Sequence, residues 1–319
     1  MGLFDQIRSA CATVVERSQF VRIDRERLAE YARSLPVESV RPPGPDTRSH
    51  YLGHGEGTVA FILTMNAINF GSGYFPHLRK RPGMSGYFTI ATGLAEHFRR
   101  HGPIPAEQLA SVTPRDCSRM FDQDPLNADA QELMDLFAQA LRDLGHHLLG
   151  RFDGRFAGLV ESVGRSAEGL VRELDLMPFF RDVASYQELR VPFYKRAQIT
   201  AADLAMSFDN EGFGRFEDLD DLTIFADNLV PHTLRVDGVL VYDDQLLERI
   251  NRQELIAPGS AEEVEIRANG LHAVELMVAE LRRAGRRTRA STIDYLLWNR
   301  GQEPRYKAQP RHRARSVFY

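Results

Sequence analysis

The chain has 319 residues, 43% of them apolar and 26% charged, with a net charge of −4. That length can bury a sizeable core, and the composition is that of a globular protein, not of a disordered or fibrous one. The weak negative charge argues against general polyanion binding, and two cysteines, Cys11 and Cys117, are too few for a disulfide framework or a CxxC metal site.

The charge is unevenly spread. Over residues 286–319, eight Arg and one Lys face only Asp294 and Glu303, about +7, which leaves about −11 for the rest. The opening MGLFDQIRSACATVVERS contains Asp5 and Glu16 and no long apolar run, so it does not read as a signal peptide. Gln6 stands where N-myristoylation needs Ser or Thr. No run of 18 apolar residues occurs, so no membrane span is expected and a cytoplasmic location is.

Residues 1–40 read as two helices. Asp24 can cap RERLAEYARSL, whose Leu28, Tyr31, Ala32 and Leu35 share a face. Residues 41–54 form a loop by their Pro, Gly and Ser content. Loops often carry function, which marks His50 and His54, although solvated loop histidines are the plainer reading. Residues 58–70 form an apolar helix stopped by Gly71-Ser72-Gly73. Asn66 and Asn69 lie inside it and need partners, either neighbouring backbone or a ligand. Ser85 in PGMSGY is no nucleophile elbow, because Tyr87 replaces the second glycine of G-x-S-x-G.

Further helices are expected over 85–101, from Pro114 with Thr113 as N-cap, and over 128–149. The last ends with His146 and His147, which as neighbours face different ways and make poor joint metal ligands. Helical periods continue over 153–176 with a break at Gly164. PFYKRAQITAADLAMS, 192–207, reads as a helix with Pro192 in its first turn. Lys195 and Arg196 there oppose the helix dipole, which is tolerable where an anion sits. EGFGRF is a turn, and its two glycines make no dinucleotide fingerprint.

LTIFADNLVP, 222–231, reads as the start of a helix with Thr223 as N-cap. Asp227 sits there among Ile224, Phe225, Leu229 and Val230. A carboxylate in such company finds donors or has its pKa raised, and both are how catalytic carboxylates are made. A helix-surface Asp facing water is the plainer alternative. Val236-Asp237-Gly238-Val239 reads as the turn of the one hairpin in the chain. Ser260-Ala261-Glu262-Glu263 is a capping box before a long helix. Residues 291–299 form a shorter helix with Asp294 and Trp298 on one face, beside Tyr295 and Asn299. The fold class is all-α with at most one short hairpin. Residues 1–319 are expected to form a single helical domain, with two lobes around a central pocket if it divides.

MNAINFGSGYF, PFYKRAQITAADL, LTIFADNLVP, EEVEIRA, IDYLLWNRG and HRARSVFY occur in this order. Together they resemble the queuosine salvage protein family from about His50 to Tyr319. One position departs: Asn66 stands where many relatives would carry Asp. The resemblance implies an N-glycosylase/hydrolase that cleaves queuosine 5′-phosphate and releases queuine, a 7-deazaguanine base reused in tRNA modification. It implies a helical fold distantly similar to helical DNA glycosylases, which commonly pair a helix-borne Asp with a Lys. The matching positions are Asp227 and Lys195. By the same match Phe225, Asp294, Tyr295, Asn299 and His50 line the base pocket.

The chemistry fits these residue types. Glycosidic cleavage builds positive charge on the ribose, and a carboxylate such as Asp227 stabilises or attacks it. A 7-deazapurine lacks N7 as a protonation site, so hydrogen bonds to its other edges must spread the leaving charge. Asp294 can accept from ring N–H groups, and Asn299, like Asn69, offers both donor and acceptor. Phe225, Tyr295 or Trp298 can stack on the base for about 1–3 kcal/mol. Lys195, Arg196 and the basic tail, Arg313 above all, are candidates for a 5′-phosphate; a solvated tail and core aromatics are the plainer readings. A Lys195 Schiff base is the alternative mechanism.

No cofactor and no metal is expected. The expected partners are a nucleotide substrate and its queuine product, with no membrane and no direct nucleic-acid binding. An RNA-binding module, betrayed by steeply salt-dependent tRNA binding, and a DNA-glycosylase-like enzyme are the rival classes.

Overall fold

The structure, a computed structural model, describes residues 2–39 and 46–319. The first part of the expected 41–54 loop lies outside the described residues. In chain order, α1 Leu3–Arg17, β1 Val21–Ile23 and α2 Arg25–Ser34 come first. Then follow α3 Glu56–Ala67, α4 Gly86–His101, α5 Ala106–Ala110, α6 Pro114–Met120, α7 Ala128–Phe152, α8 Phe156–Ser162 and α9 Ala167–Leu174. A hairpin of β2 Val183–Tyr186 and β3 Leu189–Pro192 leads into α10 Lys195–Ser207. The chain continues with α11 Leu229–Val236, β4 Leu240–Tyr242, α12 Asp244–Asn251, α13 Ala261–Arg283, α14 Ala290–Arg300 and α15 Pro304–Lys307. The expected mainly helical class holds, and the described strands form two small two-stranded sheets.

The chain divides into two compact units. One comprises Met1–Pro42, Asp182–Lys195 and Asp220–Arg315; the other comprises Pro43–Arg181, Arg196–Leu219 and Ser316–Tyr319. The first is built on α13, which packs against α1, α2, β1, α11 and α14. An ordinary surface helix buries one stripe, whereas α13 buries residues all round its N-terminal half, Glu263, Glu265 and Arg267 included. Ser260 caps it by accepting from Glu263 N–H. The Glu263 carboxylate reaches back one residue further than a capping box does, accepting from Gly259 N–H at 3.2 Å.

The second unit is organised on α7, against which α3, α5, α6 and α8 pack. Its α3 is apolar on every face and almost wholly buried. The guanidinium of Arg196 closes the end of that helix. It donates to the carbonyls of Asn66 and Ala67, at 2.9 and 2.6 Å, and to Phe179 and Val317. It lies 4.8 Å from the ring centres of both Phe70 and Phe180. Arg196 is therefore a helix-terminus cation held by main chain, not the expected phosphate ligand.

Three local expectations are corrected. The helix after the hairpin starts at Lys195, not Pro192, because Tyr194 adopts a left-handed φ of 49° that a helix cannot continue through. The helix expected from Thr223 starts at Leu229. Starting at Thr223 would have put Pro231 in the helix interior, where it lacks an N–H and clashes with the carbonyl four residues back; starting at Leu229 puts it in the first turn. Gly238, at φ 79°, ends α11 instead of turning a hairpin. The strand after it pairs antiparallel with β1, Ile23 opposite Leu240, while the true hairpin aligns Tyr186 with Leu189.

Gly145 on α7 marks a close approach to α5. A Cβ there would lie 2.4 Å from the Ala110 nitrogen and 2.7 Å from the Ala106 oxygen. Both atoms are backbone, so a rotamer change cannot relieve the clash. Gly145→Ala is expected to destabilise the protein by about 1–3 kcal/mol, read as a lower denaturation midpoint. An unchanged midpoint would mean that the helices separate freely.

Candidate active site

The site in the first unit begins with a buried ion pair. Arg267 on α13 and Asp182, the residue before β2, are 1% and 2% exposed. Arg267 donates to both carboxylate oxygens, Nη1 to Oδ1 at 2.9 Å and Nη2 to Oδ2 at 2.6 Å. Its plane lies over the Phe193 ring with the guanidinium carbon 4.0 Å from the ring centre. A bidentate, stacked guanidinium of this kind is a task that lysine cannot perform.

Both partners have reach left over. The Asp182 carbonyl accepts from Phe193 N–H and Tyr194 N–H at 2.9 and 3.3 Å. Its carboxylate accepts from Lys195 N–H at 3.0 Å. Three successive amides are thus gathered on one residue, which folds the backbone into the left-handed turn at Tyr194 and sets where Lys195 begins its helix. On the other side, Arg267 Nε donates to the Ala226 carbonyl at 2.9 Å. That bond fixes the residue next to Asp227.

Residues 222–228 form neither helix nor strand, and a bond from Ala226 N–H to the Ile224 carbonyl at 3.1 Å bends the chain at Phe225. Between Leu222 and Val230 every residue is buried except Phe225 and Asp227, which are half-buried. Asp227 Oδ1 accepts from Leu229 N–H at 2.8 Å and from Val230 N–H at 3.2 Å. Asp227, not Thr223, therefore caps α11, and the cap immobilises one carboxylate oxygen. The helix it caps sits close on α13, since a Cβ at Gly270 would meet the Pro231 ring at 2.8 Å.

Asp294 on α14 completes the cluster. It is buried, and its Oδ1 accepts from Phe225 N–H at 3.0 Å. Burial pushes its pKa well above the ordinary carboxyl value, and the neighbouring Asp227 pushes the same way. The Phe225 N–H and the Lys195 charge oppose this without cancelling it. A carboxyl so placed gives up its proton less readily than a solvated one. It was expected only to accept hydrogen bonds; in its protonated form it can also donate one.

Of the expected residues, Asp227, Lys195, Phe225 and Asp294 are brought together. Tyr295 and Trp298 are half-buried on the same helix as Asp294. Asn299 is exposed, its amide donates to the Tyr295 carbonyl at 2.9 Å, and among the described residues no hydrogen bond joins it to the carboxyl pair. Arg313 donates to the Gln253 carbonyl at 2.8 Å. His50 and Asn69 belong to the other unit. There His50 Nδ1 lies 3.1 Å from the Asp46 carbonyl, and its ring meets Phe61 edge-on. Asn69 donates to Asn66, which donates to Asp203 at 2.8 Å. An Asp at position 66 would place a second carboxyl against Asp203, so the amide suits this partner. Asp182 was not foreseen; it looks like any acid before a strand. Among the described residues no group of three His, Cys, Asp or Glu could hold a metal ion, and no helix is long and apolar enough to cross a membrane.

The chain matches the family described as queuosine salvage protein over residues 49–319. It belongs to that family. It is 37% identical to the queuosine 5′-phosphate N-glycosylase/hydrolase of Sphaerobacter thermophilus, over 96% of this chain and 95% of that one. Proteins of the same description from Mus musculus and Dictyostelium discoideum are each 30% identical, over 98% of both chains. The four residues gathered at the carboxyl pair all lie within the matched region.

Asp182→Ala removes the bidentate partner of the buried Arg267 and releases the Lys195 amide. It is expected to cost about 3–5 kcal/mol in urea unfolding, whereas Glu248→Ala, which breaks the exposed pair with Arg252, should barely move the midpoint. Equal effects from the two pairs would show that the buried one organises nothing.

Proposed function

We propose that this chain is a hydrolase that cleaves the N-glycosidic bond of queuosine 5′-phosphate and releases queuine for reuse in tRNA modification. The observation that carries the reading is the meeting of Asp227, Asp294 and Lys195, which come from three separate stretches shared with the family. In the reaction the bond from ribose C1′ to the base breaks, its electron pair leaves with the base, and water supplies the new oxygen at C1′. The ribose becomes cationic on the way. Asp227, with Oδ1 already held by two amides, presents Oδ2 to that charge as stabiliser or nucleophile.

Asp294 serves the other product. A base without N7 leaves more readily when a neighbouring donor shares a proton with it, and a carboxyl kept neutral by burial is such a donor. Phe225, with Tyr295 and Trp298 on α14, supplies rings for the flat base. Lys195 balances the acidic pair electrostatically. Asn299 remains assigned to substrate on the family resemblance. A distant kinship to helical DNA glycosylases and a cytoplasmic location belong to the same reading. The net charge of −4 favours a free nucleotide over tRNA as the bound species.

The test is release of queuine from queuosine 5′-phosphate, followed by mass spectrometry in the presence of EDTA. Asp227→Ala is expected to lower the rate about 10²–10³-fold or more. No release by the unaltered protein would end the reading.

Asp294 also gives a pH dependence. Its folded pKa is raised, so the folded protein holds this proton where the unfolded chain has lost it. Its contribution to stability is complete below the ordinary carboxyl range and is lost as pH rises through the raised value. Turnover that needs the proton falls on the same alkaline limb. Asp294→Asn is expected to flatten that limb in both thermal melts and rate profiles, with kcat lowered about 10²–10⁴-fold. A limb unchanged in the variant would assign it to another group.

A further inference from the structure

Arg311 has a place and a surplus that the roles above leave unused. The chain around it is fixed to the helix that Asp227 caps. Arg235 of α11 donates to the Pro310 carbonyl at 2.7 Å, and Asn228, next to Asp227, donates to the His312 carbonyl at 3.3 Å. One residue further on, Ile256 N–H donates to the Arg313 carbonyl at 2.8 Å. Arg311 thus projects from a stretch clamped before and after it.

The side chain itself is uncommitted. Arg196 is held by four carbonyls, Arg267 by a carboxylate and a carbonyl, Arg235 by the Pro310 carbonyl, and Arg313 by the Gln253 carbonyl. The Arg311 guanidinium makes no hydrogen bond or ion pair among the described residues, although it is half-buried and within electrostatic reach of Asp227. Burial draws its pKa below the ordinary arginine value, against the pull of Asp227 and with a push from Arg313. A guanidinium that has lost water and gained no acceptor is stabilised by an incoming anion more than a solvated one is. The cavity beside His147 is a weaker candidate, since Glu173 already neutralises the cations there.

We infer that Arg311 is the residue that binds the 5′-phosphate of the nucleotide, donating from its clamped position beside Asp227 to the phosphate oxygens. This rests on the hydrolase reading and adds the source of its preference for a nucleotide. Where Asp227 faces C1′, the 5′-phosphate lies one ribose ring away, and the bond from Asn228 to the His312 carbonyl ties the stretch carrying Arg311 to the neighbour of Asp227. It displaces Arg313 from the role that sequence suggested.

The experiment compares queuosine 5′-phosphate with queuosine, and adds inhibition by ribose 5-phosphate, for the unaltered protein, Arg311→Ala, Arg311→Lys and Arg313→Ala. Arg311→Ala is expected to lower kcat/KM for the nucleotide about 10- to 100-fold, mostly through KM. Hydrolysis of the nucleoside should hold, and inhibition by ribose 5-phosphate should weaken in the same proportion. Arg311→Lys should keep part of both, and Arg313→Ala all of both. Queuine binding by calorimetry, unchanged in Arg311→Ala, separates a lost phosphate contact from a misfolded variant. Equal loss on nucleotide and nucleoside, or ribose 5-phosphate inhibition that survives Arg311→Ala, overturns the assignment and leaves the hydrolase reading standing. Base release from neither substrate by the unaltered protein removes both.

Discussion

The ion pair between Arg267 and Asp182 is the constraint on which the site rests. Two charges out of water are costly, and their mutual attraction offsets that cost only when the remaining donors and acceptors are also used. Here they are. Asp182 takes the guanidinium with both oxygens and three consecutive amides besides, and Arg267 donates from Nε to the Ala226 carbonyl. Through the first set Lys195 is placed; through the second, Asp227. Neither charged residue need touch a substrate for the pair to set the geometry of those that do.

A second principle is the unequal treatment of two similar groups. Asp227 and Asp294 have the same chemistry and neighbouring positions, yet one is half-buried with two amides on one oxygen, and the other is sealed in α14 with one. The difference in solvation and donors sets the two apart, and in the proposed reaction it suits one to a developing cation and the other to a departing base. The irregular run before α11 makes this possible, leaving Phe225 and Asp227 half-buried while everything around them is buried.

Much of the helical class was legible, because long apolar periods and caps such as Asp24, Thr113 and Ser260 are local signals. The site was legible in part for a different reason. LTIFADNLVP and PFYKRA are unusual strings, and their likeness to a family pointed at Asp227 and Lys195 before any geometry did. What failed was what depends on partners far away in sequence. The delayed starts of α10 and α11 follow from Tyr194 and from Asp227 acting as its own cap, and the first of these is imposed by an acid thirteen positions back. The strand after Gly238 pairs with β1, more than two hundred residues earlier. Arg196 and Arg311 read alike as basic residues, yet one is spent on main-chain carbonyls and the other is not.

The Arg267–Asp182 pair also limits how this chain can change over generations. Replacing either partner alone leaves the other buried without its bidentate counterpart, and the simultaneous exchange of both for apolar residues of similar bulk lessens that penalty. Even then the Lys195 amide would lose its acceptor and the Ala226 carbonyl its donor. Residues that contact substrate can be altered one at a time to try a new base or sugar. The frame beneath them cannot be reached by single steps through well-folded intermediates. Specificity can therefore drift while the placement of Lys195 and Asp227 stays frozen.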